Sequence, residues 1–302
     1  MSDSCFLCPR NCGAHRSTGT PGICGARNTL LAARASLHMW EEPCISGENG
    51  SGTVFFSTCP LKCVFCQNRE ISKNLSGFEI TPDRLAEIFF ELEAKGAHNI
   101  NLVSPTPFTH EIAYAIKKAK QNGIRIPFVY NTSGYEKAET LKILDGLIDI
   151  YLPDFKYMSP TLAKRYSSAE NYPEFAKSAI AEMVRQCPNP VFDDDGMMKK
   201  GVIVRHLVLP GCTDDSKEVI KHLYTTHTDS IYISIMSQYT PLYDLPEYPE
   251  LMRKITPTEY DEVVDFALSI GVTQGFIQDG DSAQDSFIPV FDGYGICGKE
   301  QL

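Results

Sequence analysis

Strand-like apolar runs alternate with helical patterns along most of this chain, from residue 53 onward. Six runs have the length and composition of strands, at residues 54–56, 99–103, 126–130, 148–152, 202–209 and 231–236. Between them apolar residues recur at helical spacing, as in the stretch from Leu85 to Leu92, which Thr81-Pro82 opens and Gly96 ends. Strands that alternate with crossover helices form a parallel sheet. The pattern therefore predicts an α/β fold, an incomplete parallel (β/α)6 barrel.

Four further segments extend this pattern. Residues 159–187 are predicted as a helical region and residues 256–271 as the last helix. The polar residues 193–201 are predicted as an exposed loop. Residues 272–302 are predicted as a short strand followed by a loop-rich tail.

The first 50 residues lack this alternation of strand-like and helical segments and are rich in cysteine. We predict that residues 1–50 form an extension and residues 51–302 form the barrel with its tail. The extension carries a C-x2-C-x3-C-x11-C pattern among glycines and prolines, made by Cys5, Cys8, Cys12 and Cys24. Four thiols can close a metal site, and the spacing fits a structural zinc knuckle and an auxiliary iron-sulfur cluster equally well. The alternative is four reduced cysteines that bind no metal.

Composition and charge exclude several classes of function. A chain of 302 residues with 43% hydrophobic and 22% charged residues fits one large globular domain. Its net charge of −10 argues against nucleic-acid binding, which needs lysine and arginine to neutralise phosphates. The longest apolar runs contain charges and the N-terminus lacks a signal-peptide pattern, so no membrane contact is expected. We therefore expect a cytoplasmic protein whose cysteines stay reduced and serve as metal ligands.

A second cysteine pattern follows the first apolar run directly. Cys59, Cys63 and Cys66 form a C-x3-C-x2-C triplet with no obvious fourth ligand. Structural zinc requires four protein ligands, so a tight triplet indicates a centre that keeps one position open. A cubane iron-sulfur cluster with one iron left for another ligand fits this pattern. The alternative is a chance match among the 11 cysteines of the chain.

Polar side chains follow the predicted strands, where the loops of a parallel barrel converge on an active site. Amides and hydroxyls at these positions can bind ribose hydroxyls or a carboxylate, and lysine or arginine can neutralise an anion. The alternative for each residue is an ordinary structural ion pair. The candidates are Ser104 and Thr106 after the second strand, Asn131 and Ser133 after the third, Asp154 and Lys156 after the fourth, Arg205 in the fifth and Met236 in the sixth.

The triplet resembles the cluster motif of the radical S-adenosylmethionine (SAM) superfamily. The resemblance implies that Cys59, Cys63 and Cys66 hold a [4Fe-4S] cluster whose open iron is chelated by SAM. It further implies that an electron from the cluster cleaves SAM and yields a 5′-deoxyadenosyl radical. Phe65 stands where the superfamily usually packs an aromatic ring near the adenine.

Longer segments narrow the resemblance to pyruvate formate-lyase activating enzymes. Residues 131–134, 154–156 and 204–215 are similar to segments of those enzymes, and residues 5–13, 40–47 and 234–239 are similar to a group of uncharacterised homologues with a four-cysteine extension. The resemblance implies that the polar residues after the strands, with Phe65, bind SAM. The chain departs from the activating enzymes at Ser104-Pro105-Thr106, where they place two glycines and a glutamate that hold the SAM amino group.

The predicted function is that of a radical SAM enzyme that abstracts a hydrogen atom from its substrate. The resemblance implies a reductant such as flavodoxin or ferredoxin, and a target in a glycyl radical enzyme. The alternatives are modification of a peptide or small molecule and, in a different class, a non-catalytic metal-binding partner protein. No catalytic residue is assigned. Of the other cysteines, Cys44, Cys187, Cys212 and Cys297, most are expected to be structural, although Cys212 is near enough to the predicted site to act as a hydrogen-atom donor.

Overall fold

The computed structural model describes residues 4–278 and 288–297. Its strands are β1 Leu30–His38, β2 Ser51–Phe56, β3 Phe78–Ile80, β4 Ile100–Val103, β5 Phe128–Thr132, β6 Ile150–Pro153, β7 Val191–Phe192, β8 Met198–Leu207, β9 Tyr232–Met236 and β10 Gly275–Ile277. Its helices are α1 Pro43–Ser46, α2 Arg69–Ser72, α3 Pro82–Ala94, α4 Thr109–Gln121, α5 Ala138–Leu141, α6 Pro160–Ser167, α7 Tyr172–Gln186, α8 Thr213–His227 and α9 Pro257–Ser269. None of the helices in these residues is long and apolar enough to cross a bilayer.

The described strands form one sheet in the order β10-β9-β8-β6-β5-β4-β2-β1-β3, with β7 paired to β8. The pairs from β2 through β4, β5, β6, β8 and β9 to β10 are all parallel. The two ends of this order are β10 and β3, so the sheet is an open barrel and not a closed one. This confirms the predicted α/β fold with an incomplete barrel, and six of the parallel strands lie within or overlap the six predicted runs.

Helices pack on the sheet with the faces that the apolar pattern predicts. In α3, the hydroxyl of Thr81 accepts a hydrogen bond from the backbone N–H of Arg84, and proline occupies the first turn. In α9, Thr256 and Glu259 form a reciprocal capping box. Aromatic rings form part of the core between sheet and helices. The ring of Phe89 in α3 packs edge-on against the ring of Phe128 in β5.

Two segments of the barrel differ from the sequence-based expectation. The region 159–187 is two helices, α6 and α7, separated at Ser168, which has a left-handed backbone with φ of 49°. The predicted loop 193–201 is a tight turn only over its first residues. The carboxylate of Asp193 accepts the N–H groups of Asp195 and Met197, and the buried β8 begins at residue 198. The polar side chains of this segment concealed the start of the strand.

Strand β1 lies in the extension and was not predicted. It pairs antiparallel with β2 and with β3, so the predicted boundary at residue 50 falls between two hydrogen-bonded strands. Its sequence, Leu-Leu-Ala-Ala-Arg-Ala-Ser-Leu-His, is rich in alanine. Alanine is the best helix former and is depleted in strands, so local propensity does not mark this segment.

The residues before β1 are attached to the barrel by side chains that bind backbone carbonyls. The guanidinium of Arg10 donates to the carbonyl oxygens of Pro60 at 2.8 Å, Leu61 at 3.2 Å and Ser167 at 2.8 Å, and it lies over the ring of Tyr135. A charged donor with several acceptors is worth more than a neutral pair, because each bond is charge-assisted. Arg10 therefore joins the extension to the loop that carries the cysteine triplet.

We expect Arg10→Ala to lower the free energy of unfolding by about 1–3 kcal/mol, because several buried carbonyls lose their charged donor. Arg27→Ala is the control, since Arg27 is an exposed arginine of the same extension. Denaturant titration of both variants measures the difference. Equal stabilities for the two variants would contradict the anchoring role of Arg10.

Candidate functional site

A cavity of about 220 Å³ opens at the carboxyl ends of the parallel strands. Loops that follow such strands converge at one edge of the sheet, which is why polar residues distant in sequence meet there. The extension contributes His38, Trp40 and Glu41 to the same wall. The strand ends and the positions just after them supply Val103, Ser104, Asn131, Thr132, Ser133, Asp154, Lys156, Leu207 and Met236.

All three triplet cysteines line this cavity. The loop that holds Cys59, Cys63 and Cys66 is irregular, with left-handed backbone at Thr58 (φ 79°) and Lys62 (φ 55°). Burial, together with the neighbouring thiols of Cys66 and Cys63, raises the pKa of Cys59 to about 12. Burial likewise raises the pKa of Cys66, so the thiolates of Cys59 and Cys66 need a positive centre to compensate them, as a metal does.

The donor set fits three corners of an iron-sulfur cubane. Within residues 4–278 and 288–297, no three Cys, His, Asp or Glu side chains are placed to hold one metal ion. In a cubane each thiolate binds a different iron, so the three sulfurs need not converge on a single point. No fourth cysteine is among the described residues of the cavity wall, which leaves one cluster corner for another ligand.

Hydroxyl groups reach two of the three sulfurs. Ser167 donates to the sulfur of Cys63 at 3.1 Å, and its own oxygen lies 2.9 Å from the hydroxyl of Tyr157. Ser72 donates to the sulfur of Cys66 at 3.4 Å. Hydrogen bonds to ligand sulfur are among the factors that set a cluster's reduction potential. Neither serine was predicted from the sequence. Ser167 is about a hundred residues from Cys63, and no local sequence pattern relates the two.

Arg205 is the centre of the charged part of the wall. Its guanidinium donates to Asp154 at 3.0 Å, to Glu41 at 2.9 Å and to Asn131 at 2.6 Å. Lys156 binds the other oxygen of Asp154 at 2.7 Å. All of these side chains are largely buried, so the ion pairs replace lost hydration.

The charges of this group persist at neutral pH. Burial alone would raise the pKa of Asp154, but Lys156 and Arg205 hold it below its usual value. Burial alone would lower the pKa of Lys156, but Asp154 and the thiols of Cys63 and Cys66 raise it above its usual value. The wall therefore presents fixed positive and fixed negative charge side by side.

The structure brings together nearly all of the predicted SAM-binding residues. Phe65 meets the rings of Tyr166 and Tyr239 edge-on at 6.3 and 5.9 Å. Ser104 has a left-handed backbone with φ of 59°, at the place where the activating enzymes carry glycine. The predicted residues that line the cavity are Phe65, Ser104, Asn131, Ser133, Asp154, Lys156, Arg205 and Met236.

Thr106 does not line the cavity. It is buried, and its hydroxyl donates to the carboxylate of Glu136 at 2.5 Å. Thr132 donates to the same oxygen of Glu136. The predicted contact of Thr106 with SAM is therefore corrected, because its polar atom is bound inside the protein. Sequence reasoning placed Thr106 by its position after a strand, which does not reveal which way the side chain points.

Two further residues that take part in this hydrogen-bond network were not predicted from the sequence. Glu41 accepts hydrogen bonds from the amides of Asn101 at 2.9 Å and Asn131 at 3.1 Å, in addition to its bond from Arg205. Tyr172 is fully buried, and its hydroxyl lies 2.9 Å from the carbonyl oxygen of Ser133 and accepts the N–H of Lys156 at 2.9 Å. Both residues lie far in sequence from their partners. Only the fold makes them part of the site.

The four cysteines of the extension form a separate cluster. Burial, together with the nearby thiols of Cys24 and Cys5, raises the pKa of Cys8 to about 12. The sulfur of Cys24 accepts the backbone N–H of Ala26 at 3.4 Å. At Gly22, a side-chain carbon would lie 3.3 Å from the sulfur of Cys24 and 3.4 Å from that of Cys12, so glycine leaves room for both. The four thiols therefore lie near one another, but no three of them are placed to hold a single ion in the described part of the chain, and metal binding by this group stays a prediction.

Cys212 lies outside the cavity wall. Its thiol is half-buried, and it donates to the carbonyl oxygen of Pro210 at 3.6 Å. This position fits the structural role that was expected for most of the remaining cysteines.

Three comparisons place this arrangement among known proteins. The family model for the radical SAM superfamily matches residues 53–223. An uncharacterized protein of Methanocaldococcus jannaschii is 30% identical over 273 residues, which are 87% of this chain and 74% of that protein. The structure of a radical SAM methyltransferase from Sphaerobacter thermophilus matches with a TM-score of 0.50 at 12% identity, over 76% of this chain and 66% of that one. At this identity the likeness shows the fold alone.

A further solved structure is a domain of a pyruvate-formate lyase-activating enzyme from Bacteroides vulgatus. It matches with a TM-score of 0.44 at 12% identity, over 61% of this chain and all of that domain.

Stability should depend on pH through Glu136. Burial raises the pKa of this carboxyl from 4.5 to about 7, although the hydrogen bonds from Thr106 and Thr132 act to lower it. Between pH 4.5 and 7 the folded protein keeps a proton that the unfolded chain has lost, so the free energy of unfolding falls as pH rises through this window. We expect Glu136→Gln to remove this dependence and to be more stable than wild type above pH 7, by about 3 kcal/mol at most.

Denaturant titration at several pH values measures this effect. Glu139→Gln is the control, because Glu139 is exposed on the neighbouring helix α5 and should leave the pH dependence unchanged. An unchanged slope in Glu136→Gln would show that another group carries the proton.

Proposed function

The chain belongs to the radical SAM superfamily, and we propose that it cleaves SAM in this cavity to activate a glycyl radical enzyme. The family implies a [4Fe-4S] cluster and SAM, and the observation that supports cleavage here is the meeting of the cysteine triplet with the buried ion group in one cavity. When bound, the cluster supplies the electron that cleaves SAM into methionine and a 5′-deoxyadenosyl radical. The target in a glycine of a partner protein is supported by the resemblance of residues 204–215 to activating enzymes.

The residues of the cavity have different roles toward the cluster and SAM. Cys59, Cys63 and Cys66 hold the cluster, while Ser167 and Ser72 stabilise the charge on two of the sulfurs. Lys156 and Arg205 attract the carboxylate of SAM, because both cations are buried and fixed by Asp154. Asn131 and Ser133 provide polar groups for the ribose or the carboxylate. Phe65 offers an aromatic edge and face for the adenine.

The wall also keeps water away from the reacting groups. Leu61, Leu207 and Met236 face the cavity beside the triplet. An apolar surface around a radical reaction limits side reactions, and it strengthens the electrostatic contacts inside the site. A small electron-transfer protein such as flavodoxin or ferredoxin is the proposed source of the electron.

SAM cleavage is tested with protein reconstituted with iron and sulfide under anaerobic conditions. With dithionite and SAM, wild type should release methionine and 5′-deoxyadenosine. The triple variant Cys59→Ala, Cys63→Ala, Cys66→Ala should lose the reducible cluster at this site and release neither product. Cys297→Ala is the control, because this cysteine does not line the cavity. If wild type holds an intact cluster and binds SAM but cleaves none under any reductant, the protein is a metal-binding partner and not an enzyme.

The same assay identifies the target. With a glycyl radical enzyme deuterated at its target glycine, deuterium should enter 5′-deoxyadenosine, and a glycine radical should appear in electron paramagnetic resonance. Deuterium transfer from a peptide or a small molecule, with no lasting protein radical, would replace the activating role with substrate modification.

We also propose that the four cysteines of the extension bind a structural metal, either zinc, for which the thiols would have to close around one ion, or an iron-sulfur cluster, in which each thiolate binds its own iron. The grouping of the thiols, the N–H bond to Cys24 and the space left by Gly22 support this proposal. Because Arg10 binds the triplet loop, the metal would stabilise the wall of the SAM site without contacting SAM.

Substituting Cys5 and Cys8 with alanine should lower the thermal midpoint and leave SAM cleavage measurable. Metal analysis of the triplet-free variant identifies the centre, since zinc near one equivalent indicates a knuckle and iron with sulfide indicates a cluster. If that variant contains neither metal, the extension has no metal site.

A further inference from the structure

The loop and the short helix around the cysteine triplet carry positive charge on an acidic chain. Residues 57–78 contain three cations, Lys62, Arg69 and Lys73, and one acid, Glu70, so their formal charge is +2. The whole chain has a net charge of −10. We call Lys62, Arg69 and Lys73 the basic patch. A local excess of positive charge attracts negatively charged partners from solution.

The three cations lie near one another and near the triplet. Arg69 and Lys73 are one helical turn apart, because α2 begins at Arg69 and Lys73 follows its last residue. Burial, together with the charges of Arg69 and Lys62, lowers the pKa of Lys73, although the thiols of Cys66 and Cys63 act to raise it. Lys73 is therefore within electrostatic reach of the other two cations and of two triplet sulfurs.

The basic patch has no ion-pair partner among residues 4–278 and 288–297. Other arginines in these residues are paired, as Arg84 is with Glu91 at 2.6 Å. Arg69 lies instead over the ring of Tyr243, 4.9 Å from the ring centre. Like charges four residues apart on a helix destabilise it, so this arrangement does not serve the stability of α2. An external anionic partner would relieve the repulsion.

Helix α2 connects the basic patch to a cluster ligand. Ile71 and Ser72 on this helix are buried, and the hydroxyl of Ser72 donates to the sulfur of Cys66 at 3.4 Å. Arg69 and Lys73 flank these two residues and are partly exposed. None of the three cations lines the cavity, so a protein bound to the basic patch would not fill the space proposed for SAM.

We infer that the basic patch is the docking surface for the protein that reduces the cluster, and that this protein is an acidic one-electron carrier. The inference rests on the proposed function, which requires an electron from outside the chain. One electron passes from the carrier, which is oxidised, to the cluster, which is reduced. Interfaces of electron-transfer proteins are small, below about 1,200 Å², and complementary charge sets their orientation, so a few cations beside a cluster ligand fit this role.

The test measures the affinity of oxidised ferredoxin, an acidic one-electron carrier, for anaerobically reconstituted protein whose cluster is oxidised. No electron passes between two oxidised proteins, so the affinity reports docking alone. At low salt, the double variant Arg69→Glu, Lys73→Glu should bind about 10- to 100-fold more weakly than wild type. The difference should shrink as salt screens the charges. The rate at which reduced ferredoxin bleaches the cluster absorbance should fall in parallel.

The double variant Lys117→Glu, Lys142→Glu is the matched control. Both lysines are exposed, one on α4 and one directly after α5, and the change in net charge is the same. This control should bind ferredoxin as wild type does. A second variant, Arg69→Gln, Lys73→Gln, removes the charge without reversing it and should lose less affinity, which guards against a folding defect. Once dithionite has fully reduced the cluster, both patch variants should cleave SAM as wild type does.

Affinity and reduction potential together separate docking from a local effect on the cluster. If the patch variants shift the reduction potential but keep the affinity for ferredoxin, the cations only compensate the charge of the cluster and the inference is wrong. It is also wrong if the lysine control loses the same affinity, or if binding to wild type does not depend on salt. If wild type binds ferredoxin through the basic patch but cleaves no SAM with dithionite, the proposed function fails and the docking surface stands.

Discussion

The buried guanidinium of Arg205 is the interaction on which the arrangement of the site depends. Removing a cation from water costs several kcal/mol unless fixed anions and dipoles replace the hydration. Here the replacement comes from Asp154, Glu41 and Asn131. These residues lie after β6, before α1 and in β5, while Arg205 lies in β8. Neutralising one charge therefore fixes four separate parts of the chain relative to one another, and Asp154 in turn pairs with Lys156.

The N-terminal segment is part of the same arrangement. Strand β1 extends the sheet beyond β2, Arg10 binds the carbonyls of the triplet loop, and Glu41 enters the cavity wall. The family match at residues 53–223 covers the cysteine triplet and most of the strand ends, but not these contacts. A region without alternating strands and helices thus supports the loop that carries the cysteine triplet and contributes charge to the cavity. This provides a physical link between the four cysteines of the extension and the geometry of the proposed SAM site.

Sequence reasoning predicted the fold well where the signal is local. The parallel strands and the capped helices follow from apolar periodicity and from proline and glycine signals, and the structure confirms them. It failed for β1, whose alanines favour a helix, and for the start of β8, which follows a polar turn. In both places pairing with a neighbouring strand, and not local propensity, decides the conformation.

The sequence by itself determined that three thiols lie close together, because Cys59, Cys63 and Cys66 fall within one short loop and their spacing alone sets their proximity. It also indicated which strand ends face the cavity, since parallel strands share one edge. Only the tertiary structure decided which side chains meet there. Arg205 and Glu41 are 164 residues apart, and no local pattern relates them. Thr106 and Ser104 are two residues apart, yet only Ser104 faces the cavity, because the direction of each side chain depends on the backbone turn and on the buried partner that Glu136 provides.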